Sequence, residues 1–194
     1  MKVADYDAFD DPYAYPGTSV LRNLLNIRDP ATLEAFEVEI STLRAVEPLP
    51  HGAFDPAHYC SIHHHLFQDV YEWAGQYRMV RTSKGGNAFC YPEYIPAEMD
   101  ALFRSIRGGE VFTGREQKEF VHEAARFLGE LNAIHPFREG NGRAQLAFMG
   151  LIGEKACRPF KFERIDTNTF LPAMIDSYFR QLGALTIELE KLLS

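Results

Sequence analysis

Apolar residues return at every third or fourth position through a series of separate stretches, and glycine or proline closes nearly every one of them. A chain patterned this way is driven toward a bundle of short helices. Pro30 opens the first clear stretch, with Leu33, Phe36, Ile40 and Leu43 at helical spacing and an end before Pro48. Asp55-Pro56 caps a second, whose stripe runs Tyr59, Ile62, His63, Leu66, Phe67, Val70 and Trp73 until Gly75 stops it. Further helices are expected over 96–107, from 113 or 115 to 133, over 142–157 and, with interruptions, over 167–193, with a short one at 20–26. Only between Tyr77 and Ile95 does the period change. There the runs 77–81 and 88–91 read as strands around a polar, glycine-rich tip, Ser83 to Asn87, which makes a hairpin. The expected class is therefore all-α with one short β-hairpin.

Neither an internal repeat nor a Pro/Gly/Ser-rich linker divides the 194 residues, so one domain over 1–194 is expected. Acids outnumber bases, 27 to 20, which argues against a nucleic-acid polymer and against polybasic attraction to a membrane. No stretch approaches a membrane span, and no cationic region followed by an apolar run marks an N-terminal secretory signal. Cys60, Cys90 and Cys157 are far apart and odd in number, which fits a reducing cytoplasm better than a disulfide framework.

One stretch carries chemistry: His135-Pro136-Phe137-Arg138-Glu139-Gly140-Asn141-Gly142-Arg143. It lies between two strong helical patterns, so it forms a loop that runs into a helix N-terminus. Free backbone N–H groups converge there and the helix dipole adds partial positive charge, which together make an anion site. Gly140 and Gly142 suit a backbone that approaches a ligand closely or turns through positive φ. Arg143, on the first turn, can reach back over a phosphate as a forked cation. Glu139 is a hard oxygen ligand suited to magnesium, and Asn141 offers a neutral amide donor. His135 has an unperturbed pKa near neutrality and can take a proton from an attacking hydroxyl.

These nine residues resemble the signature of the Fic family, His-x-Phe-x-Asp/Glu-Gly-Asn-Gly-Arg-x-x-Arg. Tyr15-Pro16-Gly17-Thr18, the stretch 66–75, Arg81 to Gly86 and Glu130 to Ile134 look like the family too, so the likeness spans roughly residues 10 to 180. It implies a helical domain with a motif core at about 60–180 and an N-terminal helical extension at about 10–50. It implies transfer of AMP from Mg-ATP to a Ser, Thr or Tyr hydroxyl of a target protein, as in toxin-like or effector-like members. On that mapping His135 is the base and Glu139 holds the metal. Gly140, Asn141, Gly142 and Arg143 bind the nucleotide phosphates, and Phe137 anchors the loop. Lys84, Gly85, Gly86 and Asn87 form a flap that holds the target by strand addition.

One departure stands out. Where the signature ends in a second arginine, which in the family holds the γ-phosphate and pairs with an inhibitory glutamate, this chain has Leu146. Losing one charge-assisted contact weakens binding by roughly 1.5–3 kcal/mol, so a catalytically weak binding module and transfer of another moiety are the alternatives. Related Doc proteins, which transfer phosphate, replace the second motif glycine by lysine, whereas Gly142 is retained. The only Glu followed by Gly or Asn is Glu139, so the family's own inhibitory motif is missing and restraint is expected either from a separate antitoxin-like protein or not at all. The expected setting is cytoplasmic, in the producing cell or after delivery into another.

Other suggestive groups read as structure. His63, His64 and His65 point three ways from a helix and cannot share one ion. His122-Glu123-Ala124-Ala125-Arg126 mimics a zinc motif but has arginine in place of the second ligand.

Overall fold

The computed structural model describes residues 11–84 and 86–193. Seven α-helices are found among them: α1 (Pro30–Ala45), α2 (Pro56–Phe67), α3 (Ile95–Ser105), α4 (Gln117–Ile134), α5 (Asn141–Lys155), α6 (Thr167–Tyr178) and α7 (Gly183–Lys191). The starts follow local chemistry. Asp29, Asp55 and Asp166 each accept a backbone N–H of the first turn, from Thr32, His58 and Asn168. Proline takes the first turn of α1 and α2, where its missing N–H costs nothing.

Helix α4 is the axis of the fold. It packs on α3, α5, α6 and α7, while α2 packs on α1, α3 and α5. Between them lies an aromatic core in which Phe103, Phe127 and Phe148 meet at 5.4–5.8 Å, and Tyr59 stacks on Phe137 at 5.4 Å. Rings at such separations hold beyond their area burial alone. Burying Phe137, fully enclosed, pins the loop between α4 and α5 to this core. No helix among the described residues is long and apolar enough to cross a membrane.

Three local expectations need correction. No helix forms over 20–26. Ala14 and Leu21 instead form a β-bridge, and the Asn23 side chain takes up the local backbone, donating to the carbonyls of Leu21 and Ile27 and accepting from Ile27 N–H. On α1 the stripe is rotated: Leu43 is exposed, whereas Glu37 and Ser41 are buried. Their polar atoms are matched across the fold, as described below. The hairpin is also shorter than its strand-like flanks suggested. Its strands are β1 (Ser83–Lys84) and β2 (Asn87–Ala88), paired antiparallel with Ser83 opposite Ala88. Beyond the bond from Phe89 N–H to the Thr82 carbonyl the pairing stops, because the next amides bond elsewhere: Arg78 N–H to the Pro136 carbonyl, Met79 N–H to the Tyr13 hydroxyl and Cys90 N–H to the Ala133 carbonyl. Gly85 lies outside the described residues.

Candidate active site

Helix α4 ends at Ile134, and His135 takes the left-handed conformation (φ 50°, ψ 61°) that turns the chain out of the helix, its N–H on the Leu131 carbonyl. A non-glycine residue in that region needs support from its surroundings. The ring supplies some, lying 3.8 Å from Phe89 at 8°, just past the hairpin. Its Nδ1 is buried with no hydrogen-bond partner among the described residues. Burial, then the charges of Arg78 and Lys84, push its pKa down to about 3. The ring is therefore neutral at physiological pH and free to accept a proton.

From His135 the chain passes Phe137 and closes on itself. The Asn141 side chain accepts from Phe137 N–H at 3.0 Å and donates to the Phe137 carbonyl at 2.8 Å. Sequence reasoning offered that amide to a phosphate; in the structure it is buried and shapes the loop, so Asn141 has its backbone N–H left for an anion. Helix α5 starts at Asn141, and its first intrahelical bond runs from Ala144 N–H to the Gly140 carbonyl. The amides of Asn141, Gly142 and Arg143 thus precede the ladder, in the arrangement expected of an anion site.

Glu139 is half-buried, with one carboxylate oxygen held by Gly140 N–H at 2.9 Å. Burial and the neighbouring Glu37 charge raise its pKa. Arg143 reaches the same place. Its guanidinium lies 4.7 Å above the Phe67 ring, pairs with Glu37, donates to Ser41 Oγ at 2.9 Å and sits 3.9 Å from a Glu139 oxygen. Glu37 in turn accepts a hydrogen bond from the Tyr71 hydroxyl. Two carboxylates therefore share one arginine, and both the acid excess and the hard oxygen donors suit a divalent cation.

Several residues of this site escaped sequence reasoning. Glu37 and Ser41 hold Arg143, and Tyr71 holds Glu37. Asp11 pairs with the buried Arg138 at 2.6 Å and ties the loop to the N-terminal segment. Arg78 binds the loop from the hairpin side. A charge inside a strand-like apolar run was the one local signal for Arg78, and nothing local marked the others. Leu146 lines a cavity of about 360 Å3 with Leu49, Leu66, Ala147 and Phe162, beside Arg143 and Ser41. The position departing from the motif thus has apolar neighbours suited to an aliphatic side chain. Phe89 and Ile134, which adjoin His135, line a larger cavity of about 870 Å3 together with Ala133 and Tyr178. On the hairpin, Lys84 and Gly86 are exposed and Asn87 is partly so.

The three consecutive histidines go three ways, to the Glu139, Ala74 and Arg44 carbonyls. His63 belongs to the site. Its Nε2 donates to the Glu139 carbonyl and its Nδ1 accepts from Gly75 N–H, both at 2.9 Å, while its ring stacks 3.8 Å from Phe137. Protonating Nδ1 would set N–H against N–H, and burial holds the pKa at about 3. A folded value below the unfolded one means full stability above about pH 6.5, lost progressively as pH falls toward 3. Denaturant unfolding should show His63 alone removing roughly 2 kcal/mol between pH 7 and 5. In His63→Gln that part of the pH slope should vanish; an unchanged slope would show that His63 is not the group responsible.

Comparison with known proteins places this geometry in context. The model of the Fic/DOC family matches residues 53–152. A probable protein adenylyltransferase, y4lH of Sinorhizobium fredii, is 47% identical over 189 residues, covering 97% of this chain and 98% of the relative. The probable protein adenylyltransferase Fic of Escherichia coli K12 is 35% identical, covering 95% and 92%. Among solved structures, BepC of Bartonella tribocorum, a translocated effector with bound AMPPNP, superposes with a TM-score of 0.84 at 28% identity, over 93% of this chain and 95% of that one.

Proposed function

The chain belongs to the Fic/DOC family, and we infer that it is a protein adenylyltransferase, attaching AMP from ATP to a hydroxyl of a target protein. The observation that carries the mechanism is the meeting, at one loop, of a neutral histidine, unpaired helix N-terminal amides, an arginine and a carboxylate. His135 takes the proton of the target hydroxyl, whose oxygen attacks the α-phosphorus while pyrophosphate departs. The negative charge of a bound triphosphate offsets Arg78 and Lys84, which raises the basicity of His135 as the reactants assemble. The amides of Asn141, Gly142 and Arg143, with the Arg143 guanidinium, stabilise charge developing on the phosphates. Gly140 sets the turn that aims them.

Glu139 is the residue that would hold magnesium. Its hard oxygen donor, and the crowding with Glu37 that a cation would relieve, support the assignment. When bound, magnesium supplies charge neutralisation across the phosphates. The hairpin residues Lys84, Gly86 and Asn87 dock an extended target segment by strand addition, and Gly85 belongs to the same stretch of sequence. The half-buried Leu146 leaves His135 and Glu139 in place, so a weak binding module is the less supported reading. Three free cysteines and an ATP-dependent reaction fit action in a cytoplasm. Any restraint comes from a separate small inhibitor protein that acts without the arginine Leu146 replaces, since these 194 residues lack the family's own inhibitory motif.

The test is incubation with a cell lysate and ATP labelled at either the α- or the γ-phosphate. Label that appears only when this protein is added is expected from the α-position alone. Such added label from the γ-position would overturn adenylyl transfer in favour of phosphotransfer, and none from either would favour the binding module.

A further inference from the structure

We propose that Arg78 is a positioning residue for transfer, holding the docking hairpin in fixed register with the catalytic histidine. This rests on the reading of His135 as base and of the hairpin as target edge. Arg78 is 2% exposed, and its guanidinium gathers carbonyls from three separate places. Nε donates to the His135 carbonyl at 2.8 Å and Nη2 to the Ile134 carbonyl at 3.2 Å, at the end of α4. Nη1 donates to the Val80 carbonyl at 2.7 Å, where the chain enters the hairpin. Nη2 also donates to the Cys90 carbonyl at 2.6 Å, where it leaves. The Arg78 N–H bonds the Pro136 carbonyl at 2.8 Å, beyond the histidine.

Each contact meets a need. The last carbonyls of a helix have no partner within it, and a cation there favours the dipole. His135 stands in the left-handed position that glycine usually fills at a helix end, so its backbone requires an external hold. A hairpin of two residues per strand has little stability of its own, so its position must come from outside. One planar fork answers all three, and a lysine, as a point charge on a flexible stem, reproduces the charge but not the fork. The Phe89–His135 stack and the bond from the Tyr178 hydroxyl to the Ala88 carbonyl brace the same hairpin, but neither reaches the histidine backbone.

The experiment compares the parent with Arg78→Lys and Arg78→Met on the full chain. Initial rates of α-labelled AMP incorporation into lysate protein are measured over a range of ATP, alongside thermal melting and hydrogen exchange followed by mass spectrometry. Positioning predicts a maximal rate lowered about 100-fold in Arg78→Met and less in Arg78→Lys, with the KM for ATP within threefold of the parent. Amides of the segments 82–91 and 134–140 should exchange faster, with α1, α2 and α7 unchanged. Unchanged rates and hairpin exchange would overturn the proposal. So would a rise in exchange across all helices with a collapse in melting temperature in both variants, the mark of a residue that only holds the fold. If the parent labels nothing, the functional reading fails by itself, and hairpin exchange still decides whether Arg78 sets the register.

Discussion

Replacing His135 by alanine is expected to lower AMP transfer about a thousandfold or more, within the range a lost general base commands, while Mg-ATP still binds. No other titratable side chain of the loop is a neutral proton acceptor: Glu139 is committed to the Gly140 amide, and Arg138 and Arg143 are cations. The left-handed backbone at this position makes alanine an imperfect control, since histidine is among the residues enriched in that region and alanine is not. His135→Asn tolerates that conformation better and removes the base equally, so both variants should lose transfer and Asn should melt closer to the parent. Label incorporation gives the rate and calorimetry with Mg-ATP gives the binding. Transfer within tenfold of the parent in either variant would remove His135 from the mechanism. Loss of nucleotide affinity in both would mean that the ring serves binding instead.

The second large effect separates two glycines that look alike in the motif. Gly140 sits at φ 79°, and a β-carbon there would lie 2.4 Å from two ring carbons of Phe67. Phe67 is fully enclosed, carries the Arg143 guanidinium on one face and lies 4.7 Å from the His63 ring. It cannot retreat without disturbing the arginine or the histidine that holds the Glu139 carbonyl. Backbone strain and overpacking together put Gly140→Ala at roughly 2–5 kcal/mol, or about 10 °C in melting temperature for a chain of this size. Nucleotide affinity should fall with it. Gly142 is within α5 and a β-carbon there meets nothing within 4 Å. Gly142→Ala should therefore melt at or above the parent temperature, because alanine is the better helix former by about 1 kcal/mol. Any loss of Mg-ATP binding in Gly142→Ala then reports how closely a phosphate approaches. Equal melting temperatures for Gly140→Ala and the parent would show that the loop accommodates the added carbon.

What the sequence by itself determined is what neighbouring residues along the chain decide between them. The Asp55 cap, most of the helical stripes, the glycine-rich turn and the nine residues from His135 to Arg143 were legible because their partners lie within a few positions. The motif also resembled a known family closely enough to identify the reaction, though not to say how its residues are held. Tertiary structure decided the rest. Glu37 meets Arg143 across 106 positions and Asp11 meets Arg138 across 127, and the stripe on α1 turned toward its polar side to allow the first pairing. The amides of 78–79 and Cys90 left the expected strands because the Pro136 carbonyl, the Tyr13 hydroxyl and the Ala133 carbonyl offered acceptors, and the buried Arg78 gathers the carbonyls around them. Asn141, a plausible phosphate donor when read alone, became the clasp of its own loop once burial forced both ends of its amide to find partners. Periodicity and caps report the backbone's local preferences, whereas the partner of a buried charge depends on which distant segment the packed core brings against it.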